Sequence, residues 1–436
     1  MGYLKSIVLM FSLVTSLAAQ RGCMWLPVDG ATATAVGVLW SHGFNDDEED
    51  EAGLARVLAA CRLQRVRHAV PGMLASGMLI GGDYALVFGV VTGGESEQST
   101  AVMAALLDED AQADVLTDDV IAVAIAQAAL AADDAEYVYP GDVLLSLART
   151  RLGHGSSLAR PPAGIASSCS TLTPADVRKA LRIAVPVRAA VLGALDAATT
   201  SSIGKLVPVE NEAEARAQTL CRTPRVASQM SEATNDRLDA PFIAASFALP
   251  EALDQAAFAL GMQIATNRAF RRWRMRGMEQ QARAPFVRWS WLHADPIVQF
   301  CRRGENPRRL LPGEQAKGSL TGEVSATTAE LKAYLDDLVK LPPTEAELDS
   351  ARVALRGRLA LPSSGQKYAW ASEPATLPGR LQVLLLTAHH GIDVGEIDTL
   401  TAAAVHQAVK SVLDPNGASW HGLLPELGRE YGYRQR

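Results

Sequence analysis

The phrase Leu172-Thr173-Pro174-Ala175-Asp176-Val177 returns as Leu400-Thr401-Ala402-Ala403-Ala404-Val405, and each copy opens a helical pattern that leads to an apolar or Gly-bearing strand. A chain with this echo is constrained to fold as two copies of one unit. The first copy carries a complete helix start. Thr173 can cap, Pro174 suits the first helical position, and Asp176 faces the positive end of the helix. The second copy keeps the threonine cap. At 436 residues the chain is also longer than one core usually organises.

The same order of elements can be followed before each copy. An alternating strand is expected over Thr32–Trp40 in the first half and over Phe242–Leu249 in the second. The second half continues with a helix over Glu251–Arg274, strands over Phe286–Trp291 and Gly318–Val324, and a helix over Thr327–Leu341. Pro342-Pro343 then breaks the chain before Thr344-x-x-Glu347, a capping box. The expected fold class is α+β: two tandem homologous domains, each a mostly antiparallel sheet backed by helices. The expected boundaries are 24–207 for the N-terminal domain and 231–425 for the C-terminal domain. Residues 208–230 form a charged linker, extended or a short exposed helix, and 426–436 a tail.

Residues 1–19 have the three parts of a secretory signal: Lys5, an apolar stretch from Ile7 to Leu17, and small residues at Ser16, Ala18 and Ala19. The apolar stretch is too short to span a bilayer. Export to a periplasmic or extracellular space is therefore expected, with no integral membrane span. A net charge of −7 and 48% hydrophobic residues argue against a nucleic-acid partner and against disorder. The five cysteines, Cys23, Cys61, Cys169, Cys221 and Cys301, are odd in number, widely spaced and without a Cys-x-x-Cys pair, so they suggest no disulfide framework.

The segment Gly53-Leu54-Ala55-Arg56-Val57-Leu58-Ala59-Ala60-Cys61 resembles the zinc helix of the pitrilysin/insulinase metallopeptidases, in which Gly-Leu-Ala leads into His-x-x-Glu-His. The resemblance extends over roughly residues 30–425. It includes Ser41-His42-Gly43 with the acidic loop Asp46–Glu51, the stretch Asp133–Val138 with Arg151–Gly155, and Ala189–Asp196. It implies a fold built on two such domains. It also implies that Arg56, Ala59 and Ala60 occupy the positions of the two histidines and the water-activating glutamate, and Thr117 that of the distal zinc glutamate. Zinc needs imidazole, thiolate or carboxylate donors at about 2.0–2.3 Å, and a guanidinium and two methyl groups offer none. No cofactor is expected: zinc is the family's metal, and its ligands are missing here.

In the second half, Asn267-Arg268-Ala269-Phe270 resembles the family's Ser-Arg-Leu-Phe. Arg272 or Arg274 then stands for the substrate-holding arginine, while Gln280 takes the place of a tyrosine. The resemblance thus implies a non-catalytic subunit that pairs with a zinc-bearing sibling, or with itself, to enclose a peptide. Two other readings stay open. One is an active zinc peptidase with relocated ligands drawn from His42, His68, Asp118 and Asp119; the other is a stand-alone peptide-binding scaffold. His389-His390 reads as a pair of helix-terminal histidines before Gly391, because neighbouring helical side chains point about 100° apart. The acidic loop reads as a hydrated surface run.

Overall fold

The structure, a computed structural model, describes residues 23–28, 30–107, 113–137, 163–207, 231–235, 238, 240–250, 252–274, 284–289, 297–305, 320–360, 373–414 and 417–425. In chain order the first elements are β1 (Cys23–Pro27), β2 (Ala33–Trp40), α1 (Leu54–Ala69), β3 (Ala75–Ile80), β4 (Ala85–Thr92), α2 (Ser96–Leu107), α3 (Asp118–Tyr137), α4 (Ala166–Thr171), α5 (Pro174–Ile183), β5 (Pro186–Gly193) and α6 (Ala197–Leu206). There follow β6 (Ser231–Asn235), β7 (Phe242–Ala248), α7 (Gln255–Arg274), β8 (Phe286–Arg288), β9 (Ile297–Arg303), α8 (Leu320–Lys340), α9 (Glu345–Ala360), α10 (Glu373–His390), α11 (Ala402–Val412) and β10 (Ser419–Pro425).

The two five-stranded sheets have the same topology, β1-β5-β2-β4-β3 and β6-β10-β7-β9-β8. In each, the first edge strand runs parallel to the last strand in sequence, and the other pairings are antiparallel. The repeated six-residue phrase lies at the corresponding place in both, at the start of the helix that feeds the last strand. Thr173 Oγ1 accepts from Asp176 N at 3.3 Å while Asp176 Oδ2 accepts from Thr173 N at 3.1 Å, a closed capping box. Thr401 Oγ1 accepts from Ala404 N at 3.2 Å.

The described residues fall into two compact units. The first comprises those of Met1–Gly141, Gly155–Thr219 and Arg356–Gly395; the second comprises those of Leu220–Leu355 and Glu396–Arg436. The segment Arg356–Gly395, which the sequence places in the C-terminal domain, therefore packs with the first unit. Its helix α10 lies on β2, β4 and β5. Period 2 explains how β2 serves two layers. Val36, Val38 and Trp40 join Ala59, Leu63 and Val66 of α1 and Val102, Met103 and Leu106 of α2 in one core. Gly37, on the opposite face, lets α10 approach: a Cβ there would lie 2.7 Å from Leu381 Cδ2. Every residue of β2 is accordingly buried.

Three local expectations need correction. Residues from Leu320 onward are helical, not a strand. Thr327, Leu331, Tyr334, Leu335 and Leu338 are the buried positions of α8, a 3.6-residue spacing that outweighs the short alternation before it. The helix expected from Glu251 begins at Gln255, because Asp254 accepts from Ala257 N at 2.8 Å and caps it there. Strand β8 ends at Arg288, short of Trp291, which lies outside the described residues. The signal segment, the linker 208–230, Arg151–Gly155, Gln280 and the tail also lie outside them.

Candidate functional site: the first turns of helix α1

Helix α1 starts where the resemblance places the zinc helix, and two residues fix its entry. Gly53 has φ 117° and no room for a side chain, since a Cβ would sit 2.2 Å from Cys169 Sγ on α4. Asp47 is 4% exposed and turns its carboxylate onto the helix end, with Oδ2 accepting from Gly53 N at 2.8 Å and Oδ1 from Ala55 N at 2.9 Å. An anion at this end also meets the positive pole of the helix. His42 Nε2 lies 3.0 Å from the same Oδ1. Asp46 Oδ2 accepts from Gly43 N at 2.9 Å. Burial raises the Asp46 pKa, opposed by the Gly43 hydrogen bond and by His42, and reinforced by Asp83 and Asp47. The acidic loop is thus not simply hydrated: its aspartates build the approach to α1.

One turn into the helix, the positions that the resemblance assigns to the metal ligands carry no donor atom. Arg56 and Ala60 are half-buried and four residues apart, hence on one face. Ala59 is fully buried in the core between α1 and the sheet. Burial depresses the Arg56 pKa, with the nearby Cys169 sulfur acting in the opposite direction. Cys61 is fully buried, and burial pushes its thiol up to about 11, so it behaves as a small apolar side chain. The described cysteines, Cys23, Cys61, Cys169 and Cys301, are all free and buried.

Thr117, expected at the distal glutamate position, is exposed and accepts from Val120 N at 3.4 Å, capping α3. Asp118 in the first turn of α3 pairs with Arg178 at 2.5 Å. His42 lies beside the start of α1, whereas His68 is exposed in its last turn. A helix of 16 residues is about 24 Å long, so these two histidines are not brought to one metal. A relocated ligand set built on His42 and His68 together therefore has no geometry behind it.

In the second unit, Arg272 Nη1 lies 2.7 Å from Asp337 Oδ2 on α8, and its guanidinium is 5.3 Å from the Trp273 ring centroid. Trp273 points inward and is fully buried, 5.5 Å from Tyr334 in an edge-on contact. The side chain of Arg274 lies outside the described residues.

The first sheet ends on β3, which among the described residues pairs only with β4. All six of its residues are half-buried. Its outer edge thus presents backbone groups of the kind an added strand can pair with. The edge was not singled out from sequence; the apolar run Gly77–Ile80 after a Gly-bearing turn was the available signal.

No family model matches the sequence, and neither does any curated protein. Solved structures are similar over nearly the whole chain. A protease from Helicobacter pylori is 14% identical, covers 94% of this chain and 98% of its own, and superposes with a TM-score of 0.66. A peptidase M16 inactive domain from Pseudomonas fluorescens is 14% identical, with coverage of 95% and 97% and a TM-score of 0.63. The periplasmic protease PqqL from Escherichia coli is 13% identical over 93% of this chain and 47% of its own, with a TM-score of 0.60. The fold is that of the M16-type, pitrilysin/insulinase peptidases: mixed α+β, with antiparallel sheets backed by helices.

Proposed function

We propose that this chain is a non-catalytic pitrilysin/insulinase-type subunit that holds an extended peptide and pairs with a zinc-bearing sibling, which performs the cleavage. The observation that carries this reading is the first two turns of α1. Arg56 and Ala60 occupy the half-buried stripe where the resemblance would place a metal, and Ala59 is sealed in the core. A half-buried guanidinium repels a dication as well as failing to bind it. The well-formed entry to the helix, through Gly53 and Asp47, supports loss of chemistry within a retained fold.

The edge of β3 that is unpaired among the described residues supports the peptide-binding half of the proposal. A peptide added there would gain main-chain hydrogen bonds along one side. The export reading rests on residues 1–19. Among the described residues no helix is long and apolar enough to cross a membrane.

The test is co-purification from the native source, followed by peptide binding to the isolated chain. Recovery with a His-x-x-Glu-His sibling, and peptide binding abolished by N-methylation at alternate backbone amides, is expected. Recovery of this chain alone would remove the companion role. Hydrolysis by the isolated chain would remove the non-catalytic one.

A further inference from the structure

Far from the Arg56 stripe in sequence, three side chains of the first unit converge with the composition of a transition-metal site. They are Asp83, in the turn between β3 and β4, and His389 and His390, the last two residues of α10. One donor atom from each lies within 4.8 Å of the other two. Among the described residues, no other group of three histidine, cysteine, aspartate or glutamate donors converges in this way.

Local structure explains how adjacent histidines come to share a site. Helix α10 ends at Gly391 with φ 65°, and Ile392 N donates to Thr387 O at 2.8 Å, so the two imidazoles sit on the closing turn. Their ring centroids are 4.6 Å apart, closer than the 100° separation of neighbouring helical positions suggests. Tyr84 is fully buried and presents edge-on contacts to both rings, at 6.2 Å to His389 and 6.1 Å to His390. Gly81 makes room for that phenol, since a Cβ there would lie 2.2 Å from Tyr84 Cε1. The third donor is already in reach: His389 Nε2 is 2.9 Å from Asp83 Oδ2.

We propose that Asp83, His389 and His390 bind a zinc-class divalent transition metal, with the remaining coordination filled by water. Two imidazoles and one carboxylate are the donors that borderline metals such as Zn²⁺ prefer, whereas Mg²⁺ and Ca²⁺ select oxygen. Ligands at about 2.0–2.1 Å around a tetrahedral ion stand about 3.3 Å apart, so donors that all lie within 4.8 Å of one another need to close by at most about 1.5 Å. That is within the range of side-chain rotation at a helix end. Burial alone would raise the Asp83 pKa, but the His389 hydrogen bond and the two imidazoles hold it below the usual value, keeping the carboxylate ready as a ligand. Asp46 interacts electrostatically with Asp83 and adds negative potential. A bound ion would tie the end of α10 to the β3–β4 turn, joining segments 306 residues apart.

The experiment is calorimetric titration of the full chain with zinc chloride. One zinc per chain is expected, with no comparable response to magnesium. His389→Ala, His390→Ala and Asp83→Asn should each weaken binding by at least about tenfold, the lower bound set by losses seen when mere supporting groups of metal sites are removed. His390→Gln, which retains bulk beside Tyr84, should do the same, and His68→Ala should change nothing. Absence of zinc binding in the native chain, or binding indifferent to the cluster substitutions in variants with unchanged circular dichroism, would overturn the proposal. Peptide binding is read separately and does not depend on the outcome.

Discussion

Arg268 grips Glu347 at two points, with Nε 2.9 Å from Oε1 and Nη2 2.8 Å from Oε2, and its remaining donors reach the carbonyls of Leu341 and Pro342 at 2.9 and 3.1 Å. The same Glu347 carboxylate accepts from Thr344 N at 3.0 Å and closes the capping box of α9. One arginine thus secures both sides of the Pro342-Pro343 break. The hydrogen bond from Arg268, working against burial, lowers the Glu347 pKa from 4.5 to about 2. Because the folded pKa is depressed, the stabilisation is fully present above the unfolded value and is lost as pH falls through the folded one. Glu347→Gln should therefore cost about 2 kcal/mol at pH 7. In urea unfolding followed from pH 7 to pH 2, the gap to the native chain should narrow below about 4.5, the pKa of the unfolded glutamate.

Gly53 and Cys169 make a second testable pair. Gly53→Ala forces a Cβ against Cys169 Sγ and keeps a left-handed backbone that alanine disfavours. A loss of about 2–4 kcal/mol is expected. Adding Cys169→Ala should recover part of it by removing the clash, leaving the backbone strain. Denaturant midpoints of the four chains in this cycle measure the coupling, and strictly additive effects would show that the sulfur is not the obstacle.

Asp47 is predicted to matter more than its place in an acidic loop suggests. Asp47→Ala removes two charge-assisted bonds from the first amides of α1 and should destabilise by about 2 kcal/mol; Asp47→Asn should cost less, since an amide oxygen can still cap. Substituting exposed Glu48 or Asp50 should change stability by under about 0.5 kcal/mol. Thermal unfolding of the three variants separates the cap from the surface run.

The position that the resemblance assigns to the glutamate should resist its introduction. Ala59 is fully buried against Val36, Val38 and Trp40, so Ala59→Glu places a carboxylate in a packed apolar layer. A loss of about 3 kcal/mol or more is expected, read as a lowered urea midpoint. A variant as stable as the native chain would mean that this position accommodates a carboxylate after all.

The features that could be read from sequence are those settled within a few residues. Thr173, Thr344 and Thr401 each cap a helix by reaching three positions ahead, and the repeated phrase around two of them exposed the duplicated fold that the matching strand orders display. Asp47 was missed because its carboxylate reaches the amides of Gly53 and Ala55 across a folded loop, whereas acidic runs are ordinarily hydrated. Arg268 was read only as part of a family phrase, since its partner lies 79 residues on. The return of α10 to the first sheet, and with it the meeting of Asp83 and His389, depends wholly on tertiary packing. That Arg56, Ala59 and Ala60 offer no zinc donor was legible at once, because a ligand's chemistry is a property of residue type.

The measurement that tests the account most directly is the zinc content of the His389→Ala/His390→Ala double variant, loaded with zinc, dialysed and assayed by elemental mass spectrometry. With the proposed cluster removed, the account predicts a chain essentially free of zinc, because the first turns of α1 hold no ligand set. One zinc retained per chain would contradict it, and would show that the chain holds a metal centre outside the Asp83, His389 and His390 cluster.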